Sequence, residues 1–273
     1  MWNTMTVDEV RRNMAENQFD EIPFPFCKEE ECFPAHATVL TSDGSRRTMA
    51  ELRLGDRVLA VNAAGQPTFS EVLLWLDRRS TGRERYLLLD TEGSEEPLYI
   101  TPDHVLFIAP DNTTTSATAA RRVPAFAKDI LPGHLLYRYD PGTGSLEAKR
   151  VTDVRESESL GAYAPLTVEG NLVVDGRLVS CYTLQCRQHL AHLPFAPYRL
   201  LHTLRSSIPL LGDLLLSSPW QGEDREEGGQ EGMHWYANAW YQLGLWMGYP
   251  FGETCYPSEL QRYHYPRPAT DPL

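Results

Sequence analysis

Between residues 32 and 184 the chain never runs far without a turn signal, and this limits the fold more than any other feature. Short runs of β-type residues recur at Arg57–Val61, Glu71–Leu76, Tyr86–Asp90, Leu98–Thr101, Val105–Ala109, Leu135–Tyr139, Val151–Val154, Asn171–Val174 and Leu178–Leu184. Between them stand Asp43-Gly44, Ala64-Gly65, Pro132-Gly133, Pro141-Gly142, Glu169-Gly170 and Asp175-Gly176. Gly-containing turns between closely spaced strand patterns predict an all-β module. A weak internal repeat points the same way: Glu51–Leu59 parallels Asp129–Leu136, each with an apolar residue three before a glycine and apolar residues after it. Two copies of one β unit predict a pseudo-twofold core.

At the head of this module stands Cys32, and later in it comes Thr101-Pro102-Asp103-His104. A thiol placed there, with a Thr-x-x-His box in the same module, supplies what a chain needs to attack its own backbone. The thiol attacks the preceding carbonyl and turns the Glu31-Cys32 amide into a thioester, while the histidine handles the proton of the departing amine. The competing reading of Cys32 is a buried packing residue, and that of the Thr-Pro-x-His box is an ordinary turn at a strand end.

Composition removes other classes. A chain of 273 residues can bury a full core, and 42% hydrophobic with 23% charged residues is ordinary for a globular protein. The net charge of −12 argues against a nucleic-acid partner, which wants a basic face. There is no apolar run long enough for a spanning helix, and Met1–Glu9 as written lacks the basic and apolar regions of a signal peptide. The cysteines at 27, 32, 181, 186 and 255 are too scattered for a disulfide scaffold and lack paired CxxC spacing, so neither a metal nor another cofactor is expected.

Three parts are expected: a leader or passenger segment at 1–31, the β module at 32–184, and a different region at 185–273. Asn112–Ala120 reads as a loop with a glycosylation sequon at Asn112. After 185, helix-compatible stretches appear at Gln188–Ser207 and Leu210–Leu216, followed by an acidic break. Met233, Tyr236, Trp240, Leu243 and Met247 then recur at 3-4-3-4 spacing, one face of a helix, with Trp235, Tyr241 and Trp246 off that face. Such a helix either packs on the β module or faces a lipid or sterol, since interfacial helices favour Trp and Tyr.

The motifs, taken together, carry a resemblance. They are Cys32-Phe33-Pro34 with Ala37-Thr38-Val39, Leu54-Gly55-Asp56-Arg57-Val58-Leu59, Leu74-Trp75-Leu76-Asp77-Arg78 and Thr101-Pro102-Asp103-His104. Ala164-Pro165-Leu166-Thr167, Ser180-Cys181-Tyr182, Phe195-Ala196-Pro197 and Gly232-Met233-His234-Trp235-Tyr236 follow in order. Residues 32–184 resemble a Hint module, the fold shared by inteins and hedgehog proteins. The stretch from 32 to about 250 resembles the C-terminal autoprocessing domain of hedgehog precursors.

That resemblance implies self-cleavage at Glu31-Cys32 through a Cys32 thioester, then transfer of the N-terminal segment to cholesterol. Cys32 is then the nucleophile, His104 the group that protonates the leaving nitrogen, and Thr101 a hydrogen-bonding partner of the scissile peptide. Asp77, which otherwise reads as a strand terminator, becomes the base that activates the sterol 3-hydroxyl. Cys181 takes a position near the active site, either as a packing residue or as a reversible partner of Cys32. Trp235, Tyr236, Trp240, Tyr241 and Trp246 become sterol-recognition candidates in a partly helical region. The resemblance also implies cholesterol as co-substrate, passing contact with a membrane surface, a monomer, and the secretory pathway and extracellular signalling as the setting.

The end of the module, Leu178-Val179-Ser180-Cys181, has no Asn followed by Cys, Ser or Thr, so the side-chain cyclisation that releases a splicing intein is not expected. The chain departs from the family in having Glu31, after Glu29 and Glu30, where glycine usually precedes the nucleophile. Gly gives freedom at a strained junction, and a carboxylate cluster disfavours an anionic intermediate. Two alternatives therefore stand beside sterol transfer: a hydrolytic Hint module, and a Hint-fold binding module stalled by its own junction.

Overall fold

The computed structural model describes residues 33–110, 122–183, 194–197, 199, 200, 202, 236, 239 and 243. Those from 33 onward lie in a unit spanning Glu31–Leu273; Met1–Glu30 form a separate unit. Eleven strands are described: β1 (Thr38–Leu40), β2 (Arg46–Thr48), β3 (Arg57–Val61), β4 (Pro67–Thr91), β5 (Leu98–Ile100), β6 (His104–Ile108), β7 (Val123–Phe126), β8 (Leu135–Asp140), β9 (Ser145–Thr167), β10 (Asn171–Val174) and β11 (Arg177–Thr183). They pair in the order β2-β1-β10-β11-β6-β8-β9-β4-β3, with β5 added to β4 and β7 to β6. The all-β expectation holds, and it holds because the turn signals fall where the chain reverses. Gly44, Gly65, Gly133, Gly170 and Gly176 all have positive φ.

The internal repeat is a structural one. Gly55 N–H donates to the Val72 carbonyl at 2.9 Å, and Gly133 N–H donates to the Val151 carbonyl at 2.8 Å. Val72 N–H returns a bond to Asp56 at 2.8 Å, as Val151 N–H does to His134 at 2.7 Å. Ser42 N–H reaches the Arg57 carbonyl at 2.8 Å and Ala109 N–H the Leu135 carbonyl at 2.8 Å. The left-handed turns at Gly55 (φ +86°) and Gly133 (φ +104°) thus start equivalent hairpins, β3–β4 and β8–β9.

Each hairpin's second strand then continues far past its partner, and β4 and β9 pair with each other from Val72↔Thr167 to Thr91↔Val151. This corrects the expectation of separate strands at Glu71–Leu76 and Tyr86–Asp90, which are two ends of β4. The link between them, Arg78–Arg85, is polar and mostly half-buried or exposed, so it carries no apolar alternation to read. β1, β2 and β7 were also not among the expected runs; two of them are three residues long.

The core lies inside this folded sheet, around Phe33, Val39, Val58, Leu74, Leu89, Ile100, Leu106, Tyr163, Leu166 and Val179. A second cluster gathers Leu59, Phe107, Tyr137 and Leu178. Beyond β11, Ala196, Pro197, Arg199, Leu200 and His202 are helical, as are Tyr236, Ala239 and Leu243. The Phe195 ring stacks on Tyr182 at 5.9 Å and meets Tyr236 at 5.8 Å, which joins this region to the core cluster. The sequon at Asn112 lies outside the described residues.

Candidate active site

The chain enters the module at Phe33, whose backbone is fixed at once. Phe33 N–H donates to the Tyr163 carbonyl at 3.0 Å and Tyr163 N–H donates back at 2.9 Å. Ala35 N–H donates to the Leu160 carbonyl at 2.9 Å, so the entering segment runs alongside β9. Tyr163 in turn pairs with Arg78 of β4, and Ala164 with Asp77. Phe33, Tyr163 and Arg78 therefore form one row across three chain segments, and Asp77 is the next residue on the third. Glu31 and Cys32 lie outside the described residues; the described residue bonded to Cys32 is Phe33.

The Phe33 ring lies 4.5 Å from the imidazole of His104, tilted by 55°. His104 is fully buried at the start of β6, where the Thr101-Pro102-Asp103-His104 turn is closed by His104 N–H donating to the Thr101 carbonyl at 3.2 Å. Its Nε2 lies 2.9 Å from the Ser180 carbonyl of β11. A carbonyl only accepts, so Nε2 carries the hydrogen of the neutral ring and Nδ1 carries the lone pair. The motif residue is thus held in one tautomer by a backbone atom. Thr101 is also fully buried, and its Oγ1 has no hydrogen-bond partner among the described residues. A buried hydroxyl without a partner is costly, so Thr101 Oγ1 is available to hydrogen-bond a group brought to it.

Asp77 follows a bulge. Trp75 faces Pro165 and Asp77 faces Ala164, so β4 has one residue more than β9 there, an irregularity that re-aims the following side chain. The Asp77 side chain is 22% exposed and its Oδ2 accepts from Arg79 Nε at 3.1 Å. It is thus reachable from solvent, unlike His104 and Thr101.

Cys181 is 1% exposed in the core cluster, with Sγ 3.5 Å from Thr167 Oγ1. Burial pushes its thiol up to about 11, so the thiol is protonated at neutral pH. Its neighbour Ser180 supplies the carbonyl that touches His104. Of the aromatic candidates between 235 and 246, Tyr236 is half-buried, and its hydroxyl donates to the Pro194 carbonyl at 2.8 Å. Trp235, Trp240, Tyr241 and Trp246 lie outside the described residues. Leu243, expected on the same face as Tyr236, is 39% exposed.

Phe33 and Thr101–His104 are thus brought together, and the row through Tyr163 links Phe33 to the strand that carries Asp77. Sequence reasoning missed the roles of Phe33 as the ring beside His104, of the Ser180 carbonyl, and of Arg79. Phe33 lay inside a quoted motif, whereas a backbone carbonyl leaves no residue signature.

The Hint module family matches residues 20–248. The chain is 38% identical over 213 residues to the Indian hedgehog protein of Gallus gallus, covering 78% of this chain and 47% of that one. It is 37% identical over 217 residues to the protein hedgehog of Drosophila hydei, covering 78% and 43%. The chain spans about half the length of the curated relatives it matches. Among solved structures, the bacterial intein-like domain from Clostridium thermocellum aligns with a TM-score of 0.43 at 18% identity, covering 55% of this chain and 98% of that one.

Proposed function

The chain belongs to the Hint module family, and from that premise we propose that it cleaves its own backbone at Glu31-Cys32 and passes the N-terminal segment to cholesterol. The observation that carries this reading is the buried His104, set in one tautomer beside Phe33, the residue bonded to the proposed nucleophile. In the first step Cys32 sulfur attacks the Glu31 carbonyl carbon as its thiol proton passes to His104 Nδ1, the ring nitrogen left as acceptor by the Ser180 contact. The C–N bond breaks, the nitrogen leaves as the amine of Cys32 with a proton from His104, and a thioester joins Glu31 to Cys32. Thr101 Oγ1 hydrogen-bonds the scissile peptide.

In the second step the sterol 3-hydroxyl attacks the thioester. Asp77 takes the hydroxyl proton, the C–S bond breaks, and Glu31 is left as an ester while the Cys32 thiolate departs. The partial exposure of Asp77 suits a co-substrate that arrives from outside, just as the burial of His104 suits a step within the chain. The similarity to hedgehog proteins over 78% of the chain supports sterol transfer over plain hydrolysis. The same likeness supports a secretory setting and passing contact with a membrane surface. In the region after 184, Tyr236 packs on Phe195, and sterol contact is assigned to Trp235, Trp240, Tyr241 and Trp246.

The test separates the steps. Dithiothreitol resolves any thioester without sterol, so its cleavage rate reports the first step; cleavage with cholesterol reports both. Wild type should respond to each reagent, Cys32→Ala to neither, and Asp77→Ala should lose the sterol response. An Asp77→Ala variant with an undiminished sterol response would remove Asp77 from the mechanism.

A further inference from the structure

Asp77 does not stand alone on β4. Arg79 follows it by two residues, on the same face of a strand. Arg79 Nε donates to Asp77 Oδ2 at 3.1 Å, and the other end of the guanidinium, Nη1, donates to Glu84 Oε1 at 3.2 Å. The Glu84 side chain is only 8% exposed, whereas those of Asp77 and Arg79 are 22% and 32% exposed. Glu84 is five residues from Arg79, an odd separation that would put the two on opposite faces of an unbroken strand. They meet because β4 is irregular between Arg79, opposite Ala162, and Arg83, opposite Leu160. A buried carboxylate needs a charged partner, and Glu84 has one in Arg79. The guanidinium is planar and spans two acceptors, so anchoring one end orients the other.

We propose that Arg79 is a positioning residue for Asp77, with Glu84 as its buried anchor, and that it acts on the sterol step alone. This rests on the reading of Asp77 as the base of that step. The Arg79 contact at Oδ2 limits the orientations in which the Asp77 carboxylate meets an incoming hydroxyl. A lysine in place of Arg79 carries the charge but has no planar fork to hold both carboxylates in fixed relation.

The experiment measures the sterol-dependent and dithiothreitol-dependent cleavage rates of the full chain as wild type, Arg79→Met, Arg79→Lys, Asp77→Ala and the double variant Asp77→Ala/Arg79→Met. Misplacing a reacting group by about 1 Å costs up to about 100-fold. Arg79→Met is therefore expected to lower the sterol-dependent rate by about tenfold or more, with the dithiothreitol rate within about twofold of wild type. Arg79→Lys should recover only part of the loss, and the double variant should transfer sterol no more slowly than Asp77→Ala. Three results overturn the proposal: a wild-type sterol rate in Arg79→Met where Asp77→Ala has lost it, an equal fall in both rates, or a further loss in the double variant. If Asp77→Ala itself transfers sterol at the wild-type rate, the underlying assignment of Asp77 fails, a different result from any of these three.

Discussion

Replacing Gly161 by alanine puts a methyl group where three chain segments meet. Gly161 has φ +74°, a left-handed conformation that L side chains rarely adopt. The new Cβ would lie 2.8 Å from Tyr163 Cε2, 3.0 Å from the Arg79 carbonyl oxygen and 3.4 Å from Ala35 Cβ. Two costs therefore add. The left-handed backbone costs about 1–2 kcal/mol for a residue with a Cβ, and overpacking costs about 1–3 kcal/mol. Gly44 supplies the control, because it has φ +82° and nothing within 4 Å of its would-be Cβ. Gly44→Ala should lose only the first amount, and Gly161→Ala roughly 2–5 kcal/mol. The assay is equilibrium urea unfolding of both variants in a Cys32→Ala background, so that cleavage does not interfere. Equal losses in the two variants would refute the close approach of Ala35, Arg79 and Tyr163. Because those residues hold the Phe33 entrance and the Asp77–Arg79 pair, Gly161→Ala should also slow cleavage by both dithiothreitol and cholesterol at temperatures where the variant stays folded.

Other expected outcomes follow from single contacts. Phe33→Leu keeps an apolar residue in the core but removes the ring beside His104, and should slow dithiothreitol cleavage more than it lowers Tm; a wild-type rate would separate Phe33 from the chemistry. Arg177 is buried, with Nη2 2.9 Å from Thr91 Oγ1 and 2.6 Å from the Glu96 carbonyl, so Arg177→Met should lose about 2–4 kcal/mol in urea unfolding. Burial raises the Cys181 thiol from 9.0 to about 11. Above pH 9 the unfolded chain loses this proton before the native one does, so the group's contribution is intact below that pH and falls by about 2–3 kcal/mol as pH approaches 11. The stability gap between wild type and Cys181→Ala should narrow accordingly in urea unfolding between pH 8 and pH 11, and a constant gap would contradict the burial. Glu31→Gly should quicken dithiothreitol cleavage by relieving the junction, and an unchanged rate would show that the carboxylate does not hinder the acyl shift.

Much of the architecture was legible because it is written in turn chemistry. The glycine at Gly55 and its counterpart Gly133 announced two β units, and matching hydrogen bonds to Val72 and Val151 bear that out. The continuity of β4 was not legible, since Arg78–Arg85 has no face that alternates between apolar and polar. For the site, Thr101 and His104 stood out because a short motif holds both. The contact of His104 with Ser180 depends on a backbone oxygen and the pairing of β6 with β11, neither visible in residue identities. The Arg79–Glu84 pair was hidden for a different reason: β4 is irregular between Arg79 and Arg83, where the face assignments of a regular strand do not apply.

The central claim is a thioester at Cys32 resolved by a sterol. Mass spectrometry of the full chain incubated with cholesterol, beside a Cys32→Ala control, tests it directly. The account predicts a C-terminal fragment beginning at Cys32 and an N-terminal fragment ending at Glu31 that carries one cholesterol as an ester, with neither fragment in the control. A 1–31 fragment that ends in a free carboxylate whether or not cholesterol is present, or cleavage that persists in Cys32→Ala, would contradict it.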